Sequence, residues 1–193
     1  MATGARKRSG IMIIRAGFRN CAGLSLALGL LLSAADKGRS KPVDLSLTDL
    51  HGERVRLRDY QGKIVVLNFW ATWCQPCNEE MPMLVAAEKE YRARGVVFIG
   101  ASLDDRKTIS GIPAFLSRYN VTFPIWKGAS ADDLVKLRMG EAVPATAFLD
   151  RQGIIAARVS GQIREPELRE RIEWLLNDRA GAAPQAFISH IEK

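Results

Sequence analysis

The chain has 193 residues, of which 47% are hydrophobic and 25% are charged, a balance that suits one globular domain and excludes a disordered or fibrous chain. The formal net charge of +7 would suit a nucleic-acid ligand, but five basic residues and no acidic residue precede residue 36. The remaining chain holds 23 basic against 21 acidic residues, a net charge of +2, so we expect no nucleic-acid partner.

The N-terminal residues 1–35 combine a basic beginning, an apolar core at 22–32 and small residues at 33–35. This pattern predicts an export signal with a cleavage site near residue 35. It also fits an uncleaved membrane anchor within residues 11–35, although the apolar run is short for a full span. In both cases we expect a periplasmic or other extracytoplasmic protein, soluble after cleavage or anchored. A polar linker at 36–43 follows.

The next elements place two cysteines between a strand and a helix. Alternating apolar and polar residues at 44–48 and 54–58 predict a β-hairpin. Ile64–Trp70 is a continuous apolar run, which is typical of a strand buried on both faces in the middle of a sheet. Helical spacing from 78 to 94 predicts a helix with acidic residues in its first turn. The cysteines lie at the junction between this strand and this helix.

The later elements first alternate between strand and helix and then form a hairpin. This order predicts an α/β fold with a central mixed sheet and helices on both faces. We interpret residues 44–177 as the domain and residues 178–193 as a C-terminal tail without a clear pattern. The predicted elements are strands at 96–102, 121–126, 145–149 and 154–160, and helices at 108–119, 129–139 and 165–176.

The cysteine count points to redox chemistry. Cys21 precedes the apolar run, so the exported part holds only Cys74 and Cys77, in a C-x-x-C motif. At a helix N-terminus, free amides and the helix dipole stabilise a thiolate, which makes Cys74 the predicted nucleophile. Cys77, one turn later, is the predicted resolving thiol, and Pro76 stiffens the loop between them.

Two other interpretations of the motif stay open. A zinc site usually needs four ligands, and only His51 and His190 could add histidine ligands to the cysteines. A buried, inert disulfide would also satisfy the spacing. We favour the redox interpretation, with no metal and no bound cofactor, because the Cys74 and Cys77 pair can itself carry the electrons.

The segment Phe69–Cys77, with the sequence FWATWCQPC, resembles the active-site segment of thioredoxin-like proteins. It is most similar to the exported TlpA-like branch, which includes reductases of cytochrome c maturation. The resemblance extends over residues 45–176. It implies a thioredoxin fold with a leading β-hairpin and an inserted helix-strand element between residues 108 and 126.

The resemblance also implies a substrate-binding surface. Val143-Pro144 would form a cis-proline loop facing the cysteines, and the Val143 backbone would pair with a bound substrate chain. Trp73 and Pro76 would border the contact surface. The alternatives are a trans proline that only starts a strand and an aromatic residue that only packs in the core.

Two positions concern proton transfer. Cytosolic thioredoxins carry a buried aspartate six residues before the first cysteine, whereas this chain has Asn68, which cannot ionise. Glu80 matches an acid that the cytochrome c maturation relatives carry near the active site, so it is the candidate for tuning Cys77 or moving its proton. Alternatively, Glu80 only complements the helix N-terminus from a solvated face, like Glu79.

These features predict a thiol-disulfide oxidoreductase that reduces disulfides in exported proteins, for example apocytochrome c or a copper-site assembly protein. The Gln75-Pro76 dipeptide lacks the histidine that helps make strong oxidants, and the resembled branch is mostly reducing. A membrane-bound thiol donor is then needed, because the compartment is oxidising. The alternatives are an oxidase or isomerase and a non-catalytic thiol- or copper-binding module. A peroxiredoxin is disfavoured, because Thr72 stands two residues before Cys74, where that chemistry needs three.

Overall fold

The computed structural model describes residues 41–191. The predicted signal or anchor at 1–35 and most of the linker at 36–43 lie outside these residues. Within the described part of the chain, no helix is both long enough and apolar enough to cross a bilayer.

Up to residue 176, the order of elements follows the order predicted from the sequence. Short 3₁₀ turns at Leu57–Tyr60, Arg92–Arg94 and Ile109–Gly111 join some of them. The strands are β1 (Ser46–Asp49), β2 (Arg54–Arg56), β3 (Ile64–Trp70), β4 (Val96–Ser102), β5 (Ile125–Lys127), β6 (Ala145–Leu149), β7 (Ile155–Ser160) and β8 (Phe187–Ser189). The helices are α1 (Gln75–Tyr91), α2 (Ile112–Tyr119), α3 (Ala131–Lys136) and α4 (Glu165–Leu176).

All eight strands of the described residues belong to one sheet, in the order β2-β1-β5-β4-β3-β6-β7-β8. Strand β3 pairs parallel with β4 and antiparallel with β6, so the sheet is mixed. Every residue of β3 is buried. The predicted mixed sheet with the strand before the cysteines at its middle is confirmed.

The core lies on both faces of the sheet, because successive side chains of a strand point to opposite sides. From β3, Val66 and Trp70 join the cluster that packs against α1, α2 and α4. Leu67 and Phe69 join the other cluster, which packs against α3. The helices therefore cover both faces of the sheet, as predicted. The end of β3 is followed by the short loop that leads into α1.

The helix after the cysteines begins at Gln75, three residues before its predicted start at Asn78. Pro76 lies in the first turn, where its fixed φ suits a helix and its missing N–H removes no helical hydrogen bond. Cys74 therefore becomes the N-cap residue. The expectation of acidic residues in the first turn is wrong, because the earlier start moves both glutamates into the second turn.

Several further bounds differ from the prediction, and two of these differences have a local reason. The strand predicted at 121–126 begins only at Ile125, because Pro124 has no N–H to donate to the sheet. The helix predicted at 129–139 is shorter, and Arg138 adopts a left-handed backbone with φ 58° just beyond its end.

The tail predicted at 178–193 contributes a strand that the sequence pattern did not predict. Strand β8 runs parallel to β7, with Phe187 opposite Arg158 and Ser189 opposite Ser160. A three-residue strand is too short to show a period, and the preceding residues are rich in alanine and glycine. The sheet therefore extends one strand beyond the predicted domain boundary at residue 177.

Candidate functional site

The two cysteines lie where β3 passes into α1, and they form a disulfide with a Cα–Cα distance of 5.3 Å. The Cys74 sulfur also accepts a hydrogen bond from the Cys77 backbone N–H at 3.2 Å. Cys74 is 4% exposed and Cys77 is fully buried. The outer sulfur thus sits against the amides of the helix N-terminus, which is the position that stabilises a thiolate after reduction.

A buried carboxylate holds the loop that leads into Cys74. Asp104 Oδ1 accepts a hydrogen bond from the Thr72 hydroxyl at 2.5 Å, and Oδ2 accepts one from the Thr72 backbone N–H at 3.0 Å. The Ser102 hydroxyl donates to the same Oδ2 at 2.7 Å. The sequence pattern did not predict this role for Asp104. The available signal was an aspartate two residues after the end of β4. Because β3 and β4 are parallel neighbours, their carboxyl ends meet at one edge of the sheet, next to the loop that leads into Cys74.

We expect Asp104→Ala to lower the free energy of unfolding by about 2–3 kcal/mol, because two donors of Thr72 and one of Ser102 lose a buried charged acceptor. Urea denaturation measures the loss. The matched control is Asp105→Ala, since Asp105 is exposed and bonds only to nearby residues, and we expect a loss below about 1 kcal/mol there. Equal losses in both variants would contradict the structural role of Asp104.

Glu80 is buried, with 2% of its surface exposed. Its Oε1 accepts a hydrogen bond from Asn68 Nδ2 at 2.7 Å, and its Oε2 accepts one from the Ile163 backbone N–H at 3.0 Å. Burial raises the pKa of Glu80 to about 7, and the two hydrogen bonds offset only part of that effect. The alternative that Glu80 lies on a solvated face is wrong, although it is right for Glu79.

Asn68, at the middle of β3, connects Glu80 to the sheet. Its Nδ2 donates to Glu80 and also to the Thr146 hydroxyl at 3.1 Å. Its Oδ1 is buried and has no hydrogen-bond partner among the described residues. A carboxamide that donates to Glu80 favours its ionised form, because a carboxylate is an acceptor only, and this offsets part of the effect of burial on the pKa.

The Val143–Pro144 peptide bond is cis, as the resemblance implied. Its loop precedes β6, and the Pro144 carbonyl accepts a hydrogen bond from the Gly161 N–H at 2.8 Å. Pro76, Val143 and Pro144 line one surface groove of about 610 Å³. The structure therefore brings together three of the four predicted substrate-contact residues.

The fourth predicted contact residue, Trp73, is 60% exposed. It does not line the groove, but it directly precedes Cys74 and presents an aromatic ring to solvent. The alternative of core packing does not apply to Trp73; it applies to Trp70, which is fully buried.

Among the described residues, the two histidines considered as zinc ligands form no metal-binding group with the cysteines. His51 lies in the exposed turn between β1 and β2, and His190 contacts Glu167. Over residues 41–191, no group of three or more His, Cys, Asp or Glu side chains is arranged to hold a metal ion.

Comparisons with known proteins agree with this geometry. Residues 39–158 match the AhpC/TSA family. The chain is 36% identical over 140 residues to the thioredoxin-like protein YneN of Bacillus subtilis, covering 71% of this chain and 79% of YneN. It is 33% identical over 141 residues to the thiol-disulfide oxidoreductase ResA of Geobacillus kaustophilus, covering 73% and 79%.

Solved structures give the same result at the level of the fold and the activity. A secreted Mycobacterium tuberculosis disulfide oxidoreductase, homologous to DsbE of E. coli, superposes with a TM-score of 0.57 and 27% identity. The match covers 68% of this chain and 96% of that chain. With its C-x-x-C disulfide at the start of α1, the chain therefore belongs to the AhpC/TSA family of thioredoxin-like proteins, and it is a thiol-disulfide oxidoreductase of the ResA and DsbE type.

Proposed function

We propose that this oxidoreductase reduces disulfides in exported proteins, such as an apocytochrome c or a copper-site assembly protein. The observation that carries the proposal is the buried acid Glu80, three residues after Cys77 on α1, with a pKa of about 7. Residues three apart lie on the same face of a helix, so this acid is a neighbour of the resolving cysteine. The Gln75-Pro76 dipeptide, without histidine, supports a reducing rather than an oxidising pair.

The reaction starts from the dithiol. The Cys74 thiolate attacks one sulfur of the substrate disulfide, a mixed disulfide forms, and the first substrate sulfur leaves as a thiolate that takes up a proton. Cys77 then loses its proton and attacks the Cys74 sulfur, which releases the second substrate thiolate. The substrate gains two electrons, and the enzyme ends in the Cys74–Cys77 disulfide state that the structure holds.

Glu80 serves the second step. A carboxylate with a pKa near neutrality is half ionised at neutral pH, so it can accept a proton from Cys77 and later return it. Asn68 keeps the carboxylate in position by its hydrogen bond, and it replaces the ionisable aspartate of cytosolic thioredoxins.

The groove serves substrate positioning. We propose that the Val143 backbone, which directly precedes the cis Pro144, pairs with the substrate chain as a short strand, with Pro76 and Trp73 bordering the contact. In this proposal the enzyme binds the backbone of the substrate next to the reacting sulfur atoms. It can therefore act on extended segments of different sequence.

The compartment and partners follow from the same proposal. The N-terminal pattern supports export, with the protein either soluble after cleavage near residue 35 or anchored through residues 11–35. We propose that the cysteine pair carries the two electrons without a bound cofactor, and that a membrane-bound thiol donor reduces it again.

The test is the reduction potential of the Cys74–Cys77 pair in the full-length protein, equilibrated with dithiothreitol or glutathione. We expect a value toward the reducing end of a range of roughly −270 to −120 mV. The matched reference is Pro76→His, which is expected to shift the potential upward, because a nearby cation stabilises the thiolate of the reduced form. A wild-type value near −120 mV would overturn the reductase proposal in favour of an oxidase or isomerase.

A further inference from the structure

One wall of the groove beside Pro144 comes from the C-terminal segment, which we define as Gln185–Ile191. The family match ends at residue 158, so this segment lies beyond it. Within the segment, His190 and Ile191 line the groove together with Pro76, Val143 and Pro144. Residues at the end of the chain therefore meet the active-site surface.

The C-terminal segment is held by backbone contacts at several points. The Ala186 carbonyl accepts from the Arg158 N–H, and the His190 N–H donates to the Ser160 carbonyl, both at 2.8 Å. The fully buried Arg171 of α4 donates to the Gln185 carbonyl at 2.8 Å. The same guanidinium donates to the Glu167 carbonyl within α4 at 2.9 Å, so it ties the start of the segment to this helix.

Gly161 brings the segment into contact with the cis-proline loop. Its N–H donates to the Pro144 carbonyl at 2.8 Å. A Cβ atom at this position would lie 3.0 Å from His190 Cβ and 3.2 Å from the His190 carbonyl carbon, and the φ of 90° is one that glycine adopts without strain. Because Gly161 has no side chain, the C-terminal segment packs directly on Gly161, whose N–H bonds to Pro144.

A side-chain contact fixes the last described residues. His190 Nε2 lies 3.0 Å from both carboxylate oxygens of Glu167. Glu167 also accepts a hydrogen bond from the Arg164 N–H at the start of α4, at 3.0 Å. His190 is thereby turned toward α4, and Ile191 stays 40% exposed at the groove.

The described part of the groove lining is mostly apolar and includes one arginine. Ile191, Pro76 and Ala142 present apolar surface that is partly or fully exposed. Among the groove-lining residues that the structure describes, Arg164 carries a full positive charge and none carries a carboxylate. A large apolar side chain would gain from burial here, whereas a basic side chain would meet a like charge.

We propose that the C-terminal segment is a selectivity wall, in which Ile191 favours substrate segments that carry a large apolar side chain next to the reacting cysteine. This inference rests on the proposed reduction of protein disulfides. The occupant is an extended polypeptide, because the groove is continuous with the cis-proline backbone and with Pro76 of the cysteine motif. The wall discriminates by contact area and charge and takes no part in the sulfur chemistry.

The test measures kcat/KM of the full-length dithiol form for three peptide disulfides that differ only in the residue next to cysteine: Leu, Ala or Lys. We expect wild type to prefer Leu over Ala by about tenfold, or ~1.4 kcal/mol, and to disfavour Lys. Ile191→Asp is expected to bring the Leu to Ala ratio close to one and to raise the relative rate of the Lys peptide. Ile191→Ala is expected to lower the same ratio without a new charge.

The matched control is Val135→Asp, because Val135 is 49% exposed on α3, lies outside the C-terminal segment and does not line the groove. This variant is expected to keep the wild-type ratio. A ratio unchanged in both Ile191 variants would overturn the selectivity wall. A small aromatic disulfide, which does not need the groove, distinguishes failure of the selectivity wall from failure of the proposed reductase function. If the wild-type dithiol cannot reduce this small disulfide, the reductase function itself is wrong.

Discussion

Replacement of Cys74 by serine is expected to abolish the reduction of every disulfide substrate, with a loss of at least about 10³-fold in kcat/KM. A serine hydroxyl at this position forms neither a thiolate nor a mixed disulfide, so the first step has no nucleophile. Cys74 is the N-cap of α1 and the more exposed sulfur, whereas Cys77 is fully buried. The loss is measured as turnover of the full-length protein with a small disulfide and with a protein disulfide.

Cys77→Ser is the matched variant, because it removes the resolving thiol and keeps the nucleophile. We expect it to form a mixed disulfide with its substrate that accumulates, since no second thiol attacks the Cys74 sulfur. The adduct is detected by mass spectrometry and is released by dithiothreitol. Normal turnover in Cys74→Ser, or an adduct on Cys77 of the Cys74→Ser protein, would contradict the assignment of the two roles.

Glu80→Gln is expected to stabilise the protein above pH 7 by about 3 kcal/mol. The native state holds the Glu80 proton up to a pKa of about 7, against an ordinary value of 4.5. Between these values the native state binds more protons than the unfolded state, so the free energy of unfolding falls as pH rises. This loss in the free energy of unfolding is absent below about pH 4.5 and complete above about pH 7. A glutamine does not ionise, so its variant lacks this slope.

The hydrogen bonds of the site can accommodate the glutamine. Its carboxamide oxygen can accept from the Ile163 N–H, as Glu80 Oε2 does at 3.0 Å. If the Asn68 amide turns over, Asn68 Oδ1, which has no partner among the described residues, accepts from the new amide nitrogen. Denaturant titrations of both proteins from pH 4 to 8 measure the effect. Parallel stability curves for wild type and variant over this range would contradict the raised pKa.

The same substitution is expected to slow the reductase. Without a group that accepts the Cys77 proton, the resolving step should lose roughly 10²-fold at neutral pH, the low end for general base catalysis. In wild type the rate should rise with pH through about 7, as Glu80 ionises, and the variant should lack this limb. Glu79→Gln is the control, because Glu79 is exposed on the same turn of α1. Identical pH profiles for wild type and Glu80→Gln would rule out a proton-transfer role.

The sequence by itself determined most of the sheet and the location of the chemistry. Strands β3 and β4 and helix α4 have the predicted bounds. A continuous apolar run indicates a strand buried on both faces, and helical spacing of apolar residues indicates the buried face of α4. Cys74 and Cys77 were located by their spacing and by the strand and helix on either side. The cis Pro144 came from the resemblance, which supplies a backbone state that local pattern does not encode.

Only the tertiary structure decided what surrounds the cysteines. Glu79 and Glu80 are alike in sequence, yet one is exposed and the other is buried against the backbone of Ile163, 83 residues away. Asp104 and Thr72, which form hydrogen bonds, are 32 residues apart in the chain. The His190 N–H of the C-terminal segment bonds to the Ser160 carbonyl, so it connects the ends of β8 and β7. The pKa of a carboxyl and the wall of a groove depend on groups that folding brings together, and local patterns carry no record of those distances.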